Sequence, residues 1–429
     1  MKRFSKLNFI YLLLCALLFA FCVLGLYGCK TDKPAAEAET ESDELNNKDE
    51  ETEPENNEET TSETETTTDL APIKDIDKID VNNETTEDAE TVTETETETT
   101  TTSENIANKI TDKYINPLTG VKGTADMSKK RPVAIMINNL KPSLPQVGIS
   151  QADVLYECLV EGGTTRLMMV VTNYEDLDIV GSVRSSRDYY LDLAQNHDAI
   201  YVHAGGSPLA YDNIRSRKIN NLDGVNMYIP SMFYRDTERR KTMALEHTLM
   251  TTGKGIVSGI EYKKYRTEIK SDFNSPFNFI EYGKERLLPA ANPAKHVIIQ
   301  YNSVQFPQYI YRGKTNTYIR YQYNGQAHMD AGNNTQLEFT NVILLVCKHG
   351  DLNDEKGRIG IETTGTGTGY YIYGGRYEKI NWSKKTRDTP VVLTNTDGTP
   401  LIMNCGKTAI NLISPGVEAN SVLNYIAPK

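Results

Sequence analysis

Residues 30–110 decide how much of this chain is able to fold. The run is Glu, Thr, Asp and Asn with hardly an aromatic, and it carries 27 acidic against 6 basic residues. So little apolar surface cannot offset the entropy of ordering a chain, and the stretch is expected to stay disordered. A flexible coil of that length spans on the order of 50 Å, and self-repulsion extends it further. Residues 30–112 therefore read as an acidic Thr/Glu-rich tether, with a charged partner-binding segment as the other use of such a run.

Ahead of the tether, Lys2, Arg3 and Lys6 precede an apolar run from Phe9 that ends Leu26-Tyr27-Gly28-Cys29. A basic start followed by an apolar run is an export signal, here residues 1–29. A leucine three before a cysteine, with a small residue just ahead of it, resembles the bacterial lipobox. That resemblance implies cleavage before Cys29 and acylation of its thiol, although Tyr27 stands where a small residue is usual. The alternative is an uncleaved membrane anchor, since the run is nearly long enough to span. Both place the body on the extracytoplasmic face of the cell membrane, and on the lipobox reading the lipid anchor is the membrane partner.

The chain's net charge of −12 divides into +3 for residues 1–29, −21 for 30–110 and +6 for the remainder. The acidity belongs to the tether and the folded body is mildly basic. Outside the membrane such a body meets an anionic cell-wall polymer, glycan or lipid headgroup, so no nucleic-acid partner is expected. Cys158, Cys347 and Cys405 are the body's cysteines. They are too few for a disulfide framework and read as buried thiols. CxxC, HExxH and EF-hand spacings are absent, so neither a metal nor a cofactor is expected.

Residues 113–288 form the first expected domain. It opens on the strand VAIMI at 133–137, followed by the loop NNLKPSLPQ. Two apolar runs, 152–161 and 166–171, flank Gly162-Gly163 and read as a hairpin. Glu157 and Glu161 lie four apart, so on a strand they share a face, and Arg166 lies across the turn. An ion pair is one reading. The other makes Glu161 or Glu157 a general acid or base, because glycan hydrolysis needs a carboxyl group with a shifted pKa.

The densest chemistry lies in residues 181–208, GSVRSSRDYYLDLAQNHDAIYVHAGGSP. Residues 179–183 read as a strand, Ser185 with Asp188 as a capping-box helix start, and 199–203 as a second strand. Ser207 is the expected N-cap of a further helix with Pro208 at its first position. If the two strands are parallel neighbours, Arg184, Ser185 and Arg187 share one carboxyl edge with His203, Gly205, Gly206 and Ser207. Guanidinium groups and helix N-termini there favour an anion. Glu161, Arg166, Asp223 and His247 are expected within reach. A Ser-His-acid triad drawn from Ser185 or Ser207, His203 and Asp223 lacks the G-x-S-x-G elbow. Residues 253–265 read as a helix.

Taken together, RPVAIMINN, LPQVGISQADVLYE, VEGGTTRLMMVV, GSVRSSRDYY, YVHAGGSP, the Asn-Leu-Asp-Gly turn and Glu246-His247 resemble the YerB-like lipoprotein family of bacteria. That family is built from two adjoining domains of unknown function, and the resemblance runs from Arg131 to the chain end. It implies export, lipid anchoring and a two-part body, without a settled activity. Ser182 and Thr248 depart from the family pattern, whereas Arg184, Arg187, His203 and His247 match it.

From residue 289 the texture changes to short β-rich runs such as KHVIIQY, YIRYQY, LEFTNVILLVC, GYYIYGG and PVVLTN, separated by turn signals. The fold expected is an α/β or α+β N-terminal domain with a partly parallel sheet, followed by a mostly β C-terminal domain at 289–429, sandwich or barrel-like. Gly365-Thr-Gly-Thr-Gly369 lacks the ending of a phosphate loop and reads as a hairpin turn. The Tyr-rich strands are half-buried core or a sugar-stacking face. Three functions follow: a tethered binder of an anionic wall polymer or glycan, a wall-glycan hydrolase using Glu161, Glu157 or His203, and an envelope scaffold.

Overall fold

The structure is a computed structural model that describes residues 112–426 apart from Asn324. The export signal with Cys29, and the tether up to residue 111, lie outside the described residues.

In chain order the first half gives β1 (Val133–Ile137), β2 (Val154–Leu159), β3 (Thr165–Val171), β4 (Ile179–Gly181), helix α1 (Asp188–Gln195), β5 (Ile200–His203), helix α2 (Pro208–Ser216), β6 (Asn221–Asp223), β7 (Phe233–Arg235), β8 (Leu249–Thr252) and helix α3 (Gly253–Lys263). The second half adds β9 (His296–Ile298), β10 (Gln308–Arg312), β11 (Thr317–Gln322), β12 (Asn341–Val346), β13 (Gly365–Tyr373), β14 (Arg376–Lys384), β15 (Val392–Asn395) and β16 (Thr408–Ile413). Ten of these strands form one mixed sheet in the order β15-β14-β13-β12-β16-β2-β3-β1-β5-β6.

The central strands of the sheet are buried on both faces, which is why they read as unbroken apolar runs. All five residues of β1 are buried. Val133, Ile135 and Ile137 enter one core with Ile256 and Ile260 of α3 and with Val297, Tyr309 and Tyr318 of a second sheet built on β9, β10 and β11. Ala134 and Met136 point the other way, into a core with Tyr189, Tyr190 and Leu193 of α1 and Ile214 of α2. Period-two alternation thus assigns each residue to one of two layers.

Parallel pairing brings β2 beside β16, and β16 beside β12. A single sheet therefore runs through both halves of the body, and the change of texture at residue 289 does not divide it. The mixed, partly parallel N-terminal region and the mostly β C-terminal region are both as the sequence implies.

Two local expectations are corrected. Residues 179–181 are not a parallel neighbour of β5. They pair antiparallel with β8 in a small sheet with β7, while β5 lies between β1 and β6. Both edges of β5 are already paired, one with β1 and one with β6, so a further strand has no hydrogen-bonding edge beside it. Gly365 to Gly369 is not a hairpin turn but the first half of β13. A Cβ on Gly367 would meet the Trp382 ring at 2.5 Å, and one on Gly369 would meet the Leu344 carbonyl oxygen at 2.3 Å. The glycines serve close approach within a sheet; the turn lies at Gly374-Gly375, both at positive φ.

Candidate functional site at the carboxyl edge of the sheet

Strands β1, β2, β5 and β6 run the same way, so their carboxyl ends share one edge, where the antiparallel β3 begins. Asn138, Glu161, Arg166, His203 and Asp223 all lie at or just past that edge. Residues 184–187 cross it. The Ala204 amide donates to the Arg184 carbonyl at 3.1 Å, Ser186 N to Gly205 O at 3.0 Å, and Ser207 N to Ser186 O at 3.2 Å. The two loops therefore meet as expected, but through main-chain bonds between them and not through adjacent strands.

Each helix start follows from its residues. Ser207 caps α2, its Oγ accepting from the Ala210 amide at 3.2 Å with Pro208 in the first turn. Helix α1 is different. Arg187, not Ser185, holds the N-cap position and supplies no side-chain cap. The Asp188 carboxylate instead pairs with Arg387 at 3.1 Å.

Glu161 lies beyond β2 in a turn, so it and Glu157 do not act together. Arg187 donates to Glu161 through both Nε and Nη2, with the Nε contact at 2.8 Å, and Arg166 Nη2 lies 3.7 Å from its Oε1. Burial pushes the Glu161 carboxyl up, but the hydrogen bond from Arg187 and the charges of Arg166 and Arg187 outweigh it and bring the pKa down to about 2. A carboxyl held that low stays ionised at neutral pH and is no proton donor to a glycosidic oxygen. Arg166 also donates to the Ser185 carbonyl at 2.6 Å.

Because that carboxyl's ordinary value is 4.5, the unfolded chain takes up the proton first as pH falls. The stability that the arginine contacts lend is fully present above 4.5 and is lost toward about 2, a change on the order of 3 kcal/mol. Urea midpoints through that window are expected to fall steeply in the wild type and less steeply in Glu161→Gln. Equal acid limbs would contradict the pairing.

Glu157 is buried in a closed polar ring between the two sheets. Its Oε1 accepts from Thr165 Oγ1 at 2.7 Å, Thr165 Oγ1 accepts from Asn139 Nδ2 at 2.8 Å, and Asn139 Oδ1 accepts from Gln146 Nε2 at 3.0 Å. Gln146 Oε1 accepts from His328 Nε2 at 2.9 Å, Arg320 donates to His328 Nδ1, and Arg320 Nη2 returns to Glu157 Oε2 at 2.6 Å. Burial and the neighbouring Arg320 keep His328 neutral, well below the ordinary histidine range. Every donor in the ring meets an acceptor. Glu157 thus ties together the two halves of the body and is not placed for chemistry on a substrate.

His203 is fully buried. Its Nδ1 donates to the Gly205 carbonyl at 2.8 Å and its Nε2 lies 3.2 Å from Asn221 Oδ1, so neither ring nitrogen faces a serine. Asp223 accepts from the amides of Gly205 and Val225 at 2.9 and 3.0 Å and from Tyr211 at 2.8 Å. Burial raises the Asp223 carboxyl, but the nearby His203 and these donors hold it below its ordinary value. It fixes the Gly205 loop, where φ is +76°.

Arg184 is the arginine of this edge that stays loosely partnered. Its Nη2 lies 3.3 Å from Oε1 of Glu246, which is 42 % exposed, and its Nε is buried with no hydrogen-bond partner among the described residues. His247 lies beside them, its Nδ1 bonded to Asn138 Nδ2 at 2.9 Å. Next to His247, Arg239 donates to the main-chain carbonyls of His247, Pro145 and Ser143. Asn138, Arg239, Glu246, Arg320 and His328 carry no role in a linear reading. Asn138, just past β1, was open to the edge rule, whereas the others are brought in by pairing across long separations.

With this geometry in hand, the comparisons with known proteins are specific. Residues 118–266 match the N-terminal domain, and residues 297–410 the C-terminal domain, of a protein family of unknown function (DUF3048). Together the two matches cover more than half of the chain. This chain belongs to the YerB-like family. It is 29% identical over 310 residues to "Putative lipoprotein YerB" of Bacillus subtilis (strain 168), a match that covers 71% of this chain and 88% of that protein. The crystal structure of the YerB protein from Bacillus subtilis matches with a TM-score of 0.61 and 27% identity, over 71% of this chain and 98% of that one. The YerB-like chain thus carries both adjoining domains of the family, as the resemblance implied.

Proposed function

We propose that this YerB-like chain is a lipid-anchored envelope protein whose carboxyl edge binds an anionic cell-wall polymer. The observation that carries the reading is the state of the arginines. Arg187 is spent on Glu161 and Arg166 is buried between Glu161 and the Ser185 carbonyl, whereas Arg184 meets one partly exposed acid at 3.3 Å and keeps a buried Nε with no hydrogen-bond partner among the described residues. A guanidinium group with unused donors is the ordinary recognition element for phosphate and carboxylate oxygens. The lipoprotein relative and the basic start ahead of Cys29 support the anchor. The acidic tether would hold the body off an anionic membrane surface and let it reach into the wall.

The full chain incubated with purified wall material is expected to co-sediment with it and to release no soluble fragments. Released glycan fragments would replace the binder by a hydrolase. In cells, labelled palmitate is expected on the wild type and not on Cys29→Ser; equal labelling would remove the anchor.

A further inference from the structure

The contact between Arg184 and Glu246 has the form of an occupied oxyanion site. The Leu140 amide donates to Asn138 Oδ1 at 3.1 Å, which turns Asn138 Nδ2 toward His247 Nδ1 at 2.9 Å. The neutral imidazole then carries its proton on Nε2. That Nε2 lies 3.6 Å from Glu246 Oε1, the same oxygen that Arg184 Nη2 approaches at 3.3 Å. Two donors from different loops thus converge on one carboxylate oxygen. The frame behind them is rigid, because His247 is 5 % exposed and Asn138 is 1 % exposed.

The occupant fits poorly. Charge-assisted hydrogen bonds of this kind close to about 2.7–2.9 Å, and a guanidinium fork engages a carboxylate through two nitrogens. Here both distances are longer, one oxygen is shared, and Arg184 Nε, buried, donates to nothing among the described residues. Glu246 itself is 42 % exposed on a short turn, Leu245–His247, so it can swing into solvent while its two partners stay in place.

We infer that Arg184 and His247 form a binding site for one phosphate oxyanion, and that Glu246 is its internal occupant, displaced when the phosphodiester of a wall polymer enters. The inference rests on the proposed wall-binding function for the source of the phosphate, but not for the site itself. Glu246 then sets a threshold: isolated phosphates compete poorly with a tethered carboxylate, whereas a polymer presenting many phosphates displaces it readily.

The test is calorimetric titration of the full chain at low salt with inorganic phosphate and, separately, with a poly(glycerol phosphate) oligomer. Glu246→Gln, which removes the competing charge and keeps the shape, is expected to tighten inorganic phosphate by about fivefold. Arg184→Gln is expected to abolish binding with or without the Glu246 change. Arg184→Lys keeps the charge without the fork and is expected to fall between, which separates lost recognition from lost folding. If Glu246→Gln binds no tighter than the wild type, or if its gain survives in the double variant with Arg184→Gln, the inference is overturned. Should Glu246→Gln tighten phosphate while wall material fails to bind, the oxyanion site stands and the wall reading alone falls. Should wall binding depend on Arg184 but not on Glu246, the occupant role is wrong and the wall reading stands.

Discussion

Residues 112–288 produced without the rest of the chain are expected to give no cooperative folded body. Although two family domains meet near that point, β16 lies inside the sheet between β2 and β12, paired with five residues of β2 from Val154 to Cys158. Its removal turns a central strand into an open edge of unpaired amides and carbonyls. Glu157 loses Arg320, and Asp192 of α1, which is 1 % exposed, loses Arg387 and Thr363. Losses at a buried strand and two buried carboxylates together exceed the about 5–15 kcal/mol that holds a typical domain. Near-ultraviolet circular dichroism and urea titration of the fragment measure this. A sharp unfolding transition from the fragment alone would mean that the halves are independent after all.

Removing Arg320 alone comes next in size. Arg320 is fully buried and Glu157 is 2 % exposed, so Arg320→Met leaves the Glu157 carboxyl between two sheets without its cation. Breaking a buried pair from one side costs about 3–5 kcal/mol. The double variant Glu157→Gln with Arg320→Met leaves no buried charge and is expected to recover much of that loss, because much of the cost is the penalty of the orphaned partner. Urea midpoints at unchanged slope read both values. A double variant as unstable as the single one would show that the ring's hydrogen bonds, and not its charge balance, carry the stability.

The parts of this fold that could be read from the chain are those whose cause is local. The hairpin of β2 and β3 follows from two apolar runs around Gly162-Gly163, and the α2 start from Ser207-Pro208. The meeting of residues 184–187 with 203–207 was also legible, but for a reason that did not hold, since β4 pairs with β8 and the loops bond directly. Pairing over long separations leaves no mark nearby in sequence. Arg320 reads as one more residue of a strand, yet it neutralises Glu157, 163 positions earlier. Glu161 looked like a candidate acid because its type and neighbours allow it. The partner that settles its state, Arg187, arrives from another loop. Likewise Gly365 to Gly369 carry the composition of a turn, and only the Trp382 ring and the Leu344 carbonyl explain them as a strand.

The measurement that bears most directly on the account is the salt dependence of wall binding by the full chain, taken for the wild type and for Arg184→Gln. A polyanion bound through guanidinium groups releases counterions, so the logarithm of affinity falls linearly with the logarithm of salt concentration. The wild type is expected to show that fall, and Arg184→Gln to bind more weakly with a slope shallower by about one counterion. Wall affinity that is independent of salt, or identical in the two proteins, would contradict an anion-binding edge centred on Arg184.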